Sequence, residues 1–143
     1  MIIRASEKTD LARILQIEKS VFPNSAWTRA MISDELTLNV DRKTWVIDSD
    51  KELVGYYMLR YGPIEVHLVN MAVDTSLQKM GIGKKLLNHF LNNIPKDYSA
   101  YLEVKRGNFP AIKLYLNAGF KDIAIREDYY PDGEDAIVMC LNK

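Results

Sequence analysis

The sequence predicts a mixed α/β fold, with a central, mostly antiparallel sheet, a parallel βαβ crossover within it, and helices on both faces. Between residues 44 and 73 short apolar segments alternate with polar turns, the pattern of consecutive antiparallel strands. After Gly83 the period lengthens. Leu86, Leu87, Phe90, Leu91 and Ile94 recur at helical spacing between two apolar strands, and such an order needs a crossover to a parallel neighbour. Both pairing modes in one sheet give the mixed class.

The elements follow in order. Residues 2–4 form a short strand, and Thr9-Asp10 opens a helix with Leu11, Ile14 and Leu15 on one face. Residues 21–25 break it, and a second helix covers about residues 26–36. Residues 44–48 and 53–60 pair as a hairpin around the polar turn at 49–52. Gly62-Pro63 separates them from a strand over 64–73. The helix after Gly83 ends at Pro95, and residues 98–104 make the next strand. Asn108 caps a further helix with Pro110 in its first turn, and Gly119 supplies the left-handed exit before Phe120. Residues 124–126 and 135–141 read as two strands around Pro131-Asp132-Gly133. At 143 residues the chain suits one domain, residues 1–143.

Lys plus Arg and Asp plus Glu number 19 each, so no global field draws the chain to nucleic acid or to a membrane surface. No apolar run approaches the ~20 residues that span a bilayer, and Met1-Ile2-Ile3-Arg4 does not open a signal peptide. A single cysteine, Cys140, fits a reducing cytoplasm and reads as a packed thiol in a buried strand. His67 and His89 lack metal-ligand spacing, so no metal is expected.

The richest stretch is residues 67–91, where an apolar strand leads through Gln78-Lys79-Met80-Gly81-Ile82-Gly83 into an amphipathic helix. A helix N-terminus carries unsatisfied N–H donors and partial positive charge, and glycines let an anion approach, so the turn suits a pyrophosphate. A Walker loop fails here: it needs glycine at Gln78 and a hydroxyl at Lys85. The dinucleotide fingerprint fails as well, lacking a glycine at Leu86.

The remaining pattern, Gln-x-x-Gly-x-Gly after an apolar strand, resembles the acetyl-CoA loop of the GNAT N-acetyltransferases, and the element order matches the GNAT acyl-CoA N-acyltransferase fold. Three more segments extend the likeness over essentially the whole chain. They are the strand and loop at 102–108, the helix Ala111-Ile112-Lys113-Leu114-Tyr115, and the hairpin Tyr129-Tyr130-Pro131-Asp132-Gly133-Glu134. The last resembles the RimI-type N-terminal acetyltransferases, as does Val21-Phe22-Pro23 with Trp27, although that branch more often sets its tryptophan nearer the proline.

The resemblance implies a cytoplasmic enzyme. It would transfer acetyl from acetyl-CoA by direct attack of a protein N-terminal α-amine, that of alanine on a small-subunit ribosomal protein. The backbone of Met71, Ala72 and Val73 would pair with the pantetheine arm. Gln78, Lys79, Met80, Gly81, Ile82, Gly83 and Lys84 would receive the pyrophosphate, and Asn108 would contact the pantetheine or phosphate region. Glu103 would serve as general base and Tyr115 as general acid. Phe22, Trp27, Tyr129 and Tyr130 would wall the acceptor, with Asp132 and Glu134 available to attract its cationic end. A small-molecule amine or a lysine side chain as acceptor, or a non-catalytic acyl-CoA-binding module, stay open as alternatives.

Overall fold

The computed structural model describes residues 1–37 and 39–142. Its elements are β1 (Ile2–Ala5), α1 (Leu11–Val21), α2 (Arg29–Leu36), β2 (Arg42–Ser49), β3 (Glu52–Tyr61), β4 (Glu65–Val73), α3 (Ile82–Asn92), β5 (Ser99–Lys105), α4 (Phe109–Asn117), β6 (Lys121–Arg126) and β7 (Ala136–Asn142). Short 3-10 turns at Lys8–Asp10 and Thr75–Leu77 precede α1 and α3. The strands form a sheet ordered β1-β2-β3-β4-β5-β7-β6. Neighbours pair antiparallel except β4 and β5, which α3 joins as a parallel crossover.

Strand alternation divides the core in two. Tyr56 and Met58 point to one face, where Ile14 and Ile17 of α1 and Ile32 of α2 cover them. Tyr57 and Leu59 point to the other, against Leu86, Leu87 and Phe90 of α3 and Tyr115 of α4. Gly55 lets α3 approach closely, since a Cβ there would lie 3.3 Å from Leu86 Cδ1 and 3.1 Å from the Ala72 carbonyl oxygen. The β2–β3 hairpin closes through Asp50 and Lys51, both at positive φ (51° and 69°), as a two-residue turn demands. Among the described residues no helix is long and apolar enough to cross a membrane.

Several expected boundaries move, each for a local reason. Asp10 belongs to the 3-10 turn, where its carboxylate accepts from Glu7 N (2.7 Å) and pairs with Arg4, so α1 starts at Leu11. Helix α2 starts at Arg29 because Thr28 caps it, its hydroxyl oxygen accepting from Met31 N at 3.2 Å. Strand β6 begins at Lys121: it is an exposed edge strand, bulged near Ile123, and shows no inside–outside alternation. Cys140 is only half-buried, because it alternates to the face opposite the fully buried Met139.

His89 of α3 sits over the sheet beside Trp45, with its Nδ1 2.6 Å from the Tyr57 hydroxyl. Burial pushes this imidazole below its ordinary value of 6.5. In the unfolded chain it regains that value, so its contribution to stability is present above about 6.5 and is lost as pH falls toward the depressed folded value. The melting temperature should therefore fall between about pH 7.5 and about pH 5. His89→Asn should flatten that part of the curve, and an unchanged slope would remove His89 as the source.

Candidate active site

The site begins as a defect in the sheet. Strands β4 and β5 pair only from Glu65↔Ser99 to Leu68↔Leu102, although β4 runs on to Val73 and β5 to Lys105. Across β4 on its other side, Leu59 faces Leu68 while the next residue back, Met58, faces Asn70, so Val69 is an extra, bulged residue. A bulge bends its strand and adds twist. Here it falls where the two parallel strands part. The resulting wedge holds a cavity of about 830 Å³, lined by residues 68–73 of β4, 102–105 of β5, the start of α3 and one face of α4.

The turn into α3 forms one end of this cavity. Gln78 Nε2 donates to the Val73 carbonyl oxygen (3.1 Å), tying the turn back to the end of β4. Lys79 and Gly81 both hold positive φ (68° and 82°), and Gly81 is the residue from which the helix departs. Its carbonyl accepts from Lys85 N (3.1 Å), which leaves the N–H groups of residues 82–84 without intrahelical acceptors. No heavy atom lies within 4 Å of where a Gly81 Cβ would stand. Gln78, Lys79, Gly81, Ile82, Gly83 and Lys84 line the cavity, whereas Met80 points outward and is 62% exposed.

Glu103 and Tyr115 reach the cavity from opposite sides of the sheet. On β5, Leu102 and Val104 join the core beneath α3 and α4, so Glu103 faces the side that carries α1 and α2. Its carboxylate lies 3.4 Å from Arg126 Nε. The nearby Glu103 carboxylate pushes the Tyr129 phenol up. Tyr115 is buried on the α3/α4 side against Phe120, and burial pushes its phenol above the usual 10.0. Both residues line one cavity because the sheet is split between them.

The β6–β7 loop makes a third wall. Lys105 pairs with Asp132 (2.6 Å), Gly107 N donates to Glu134 Oε1 (2.7 Å), and Arg106 pairs with Asp135 (3.3 Å). The Lys105 ammonium holds Asp132 below the usual carboxylate range. Asp132 and Glu134 are thus engaged in fastening the loop. Tyr130 lines the cavity with Lys105 Nζ 5.3 Å over its ring, and burial with the nearby Glu103 charge pushes its phenol up. Tyr129 lies outside the lining and is 48% exposed. Asn108 lines the cavity, but its Oδ1 also accepts from Ala111 N (3.3 Å) as the cap of α4.

Phe22 and Trp27, in the segment between α1 and α2, form the remaining lip. Among the lining residues that sequence reasoning did not single out, Glu18 and Asn70 form a polar contact. Glu18 is 1% exposed and joins Trp27 N, Tyr56 Oη and Asn70 Nδ2. Its partners lie up to 52 residues away. The one local hint was a carboxylate one residue after the core-facing Ile17. Among the described residues no group of three or more His, Cys, Asp or Glu could hold a metal ion.

Residues 10–120 match the Acetyltransferase (GNAT) family. The chain is 36% identical over 146 residues to the ribosomal protein bS18-alanine N-acetyltransferase of Escherichia coli (strain K12), covering 97% of this chain and 95% of that one. It is 32% identical over 152 residues to an N-alpha-acetyltransferase of Sulfolobus acidocaldarius, covering 96% and 89%. The crystal structure of the ribosomal-protein-S18-alanine N-acetyltransferase from Escherichia coli matches with a TM-score of 0.86 at 30% identity, covering 99% of this chain and 92% of that one.

Proposed function

We propose, from the premise that the chain belongs to the acetyltransferase (GNAT) family, that it carries acetyl from acetyl-CoA to the N-terminal α-amine of a protein, an alanine of a small-subunit ribosomal protein. The observation that carries this reading is the split sheet, which lets Glu103 and Tyr115 meet one cavity from opposite faces. An acceptor entering on the α1/α2 side would reach Glu103, and a thioester held on the α3/α4 side would reach Tyr115.

The residues present fit the co-substrate. Beyond Leu68 the β5 side of β4 is free of strand partners, so in the stretch Met71-Ala72-Val73 the backbone groups that face it, the Met71 N–H and C=O and the Val73 N–H, can pair with the amides of an extended arm. The free N–H groups at 82–84 suit a pyrophosphate, with Lys79 and Lys84 at the rim. Acetyl-CoA supplies the acyl group as a thioester. Glu103 takes the proton that the amine loses, directly or through a water, while the nitrogen lone pair forms the new C–N bond. A β4 amide, with Val73 the expected donor, faces the carbonyl oxygen as charge gathers there. Tyr115 gives its phenol proton to the sulfur as the C–S bond breaks; Glu103 then releases its proton to solvent and Tyr115 takes one up, which restores both groups for the next turnover.

An α-amine, with a pKa of about 7.7–8.0, is far easier to deprotonate near neutrality than a lysine at about 10.4, so one carboxylate suffices as base. The names of the relatives point the same way. A competition assay tests the acceptor class: a peptide beginning with alanine and a small aliphatic diamine, at equal concentration, share one pool of acetyl-CoA. The peptide should take the acetyl; a preference for the diamine would overturn the reading.

Gly81→Val tests the cofactor turn. The open space at this position means no clash; the cost is the left-handed backbone, which a β-branched residue adopts poorly. The affinity for acetyl-CoA should fall by about tenfold or more in titration calorimetry. Unchanged affinity would remove the turn from the site.

A further inference from the structure

We infer that Glu18 is a positioning residue for the acceptor. From its buried place on α1 it ties the acceptor lip to the strand proposed to hold the cofactor. This rests on reading the cavity as the acceptor and acetyl-CoA site. Glu18 Oε2 accepts from Trp27 N (2.9 Å), and Oε1 accepts from the Tyr56 hydroxyl (2.6 Å) and Asn70 Nδ2 (2.7 Å). Three separate parts of the chain thus converge on one carboxylate that is 1% exposed and lines the cavity. Tyr56 is itself fully buried, so this end of the network is fixed by the core.

The two other partners are placed where they matter. Trp27 lies in the segment that carries Phe22, Pro23, Asn24 and Ser25 along the cavity wall. Within that segment, Ser25 N donates to Phe22 O (3.1 Å), a purely local bond. The Trp27–Glu18 bond instead fastens the lip to α1 and, through Oε1, to the sheet. Asn70 follows the bulged Val69 and precedes Met71-Ala72-Val73, so its anchor also sets the wall of the wedge. Glu18 therefore sets the gap between lip and β4, the space in which the amine must meet the thioester.

The role needs hydrogen bonds at a fixed reach. A glutamine keeps the reach: with its oxygen toward Trp27 N, its amide can donate to the Tyr56 hydroxyl and to a flipped Asn70 oxygen. An aspartate keeps the charge but is one methylene shorter, and it cannot span Trp27 on one side and Tyr56 with Asn70 on the other. The test compares Glu18→Gln with Glu18→Asp in two measurements: amide hydrogen exchange at Trp27, and steady-state kinetics with a peptide beginning with alanine.

Glu18→Asp should speed Trp27 exchange by about tenfold and raise the peptide KM by about tenfold, with kcat and acetyl-CoA affinity held within about twofold. Glu18→Gln should keep both values near those of the unaltered protein. A glutamine variant impaired as much as the aspartate one, or an aspartate variant indistinguishable from the unaltered protein, would overturn the inference. If the unaltered protein acetylates no peptide, the acceptor reading fails, and with it the kinetic part of this inference. The exchange measurement still decides whether Glu18 anchors the lip.

Discussion

Tyr115→Phe should lower kcat by about a hundredfold or more while leaving acetyl-CoA affinity within about twofold, since one positioned proton donor contributes about 10²–10⁴ in rate. The substitution removes a single oxygen. The ring keeps its edge contact with Phe120 (centroids 5.9 Å apart), so the fold and the cavity wall are retained. Burial holds the phenol above its usual 10.0, so at neutral pH it carries the proton that the departing sulfur needs. Single-turnover acetyl transfer measured beside calorimetric binding separates the two effects. An unaltered rate would rule out Tyr115 as the acid.

Glu103→Gln should cost about a hundredfold or more in kcat/KM near pH 7, and the loss should shrink above about pH 8. The pH dependence follows from the acceptor. An α-amine that titrates at about 7.7–8.0 becomes its own nucleophile as pH rises, and the enzyme's base then matters less. Glutamine matches the shape of the carboxylate but cannot take the proton, and it gives up the ion pair with Arg126 (3.4 Å). Arg126→Gln serves as the control for that second change. It disturbs the pair while leaving the base, so its loss should be far smaller. Equal losses in the two variants would assign Glu103 to holding the hairpin rather than to proton transfer.

Much of this site was legible because its parts are local in the chain. The turn at 78–84 announces itself by two glycines after an apolar strand and before an amphipathic helix, and the structure starts α3 there. Alternation along β5 put Glu103 opposite Leu102 and Val104, and their burial agrees. Asn108 caps α4 and Tyr115 stands seven residues further on within it, and both line the cavity. What was hidden is what distance in sequence conceals. The run of residues 64–73 reads as one uninterrupted strand, and nothing in it marks Val69 as bulged; that bulge depends on the register with β3.

Glu18 was hidden for a similar reason. On α1 alone it reads as one more solvated charge next to Lys19, and only Tyr56 and Asn70 make it a buried junction. Strand β6 was underestimated because all six of its residues are exposed and lack a burial period. Two residues grouped with the site on motif, Met80 and Tyr129, lie outside the cavity lining, although Tyr129 stands beside Glu103. Motif membership fixes neighbours along the chain, whereas side-chain direction depends on the φ of the adjoining residues, here Lys79 and Gly81 in the turn and Asp128 before Tyr129.

The most direct test of α-amine acetylation is intact mass after incubation with acetyl-CoA and two peptides beginning Ala-Arg. One has a free α-amine and an internal lysine; the other is identical except that its α-amine is blocked. A single acetyl group on the free peptide alone is the predicted result. Acetyl on the blocked peptide would contradict it and move the reaction to the lysine side chain.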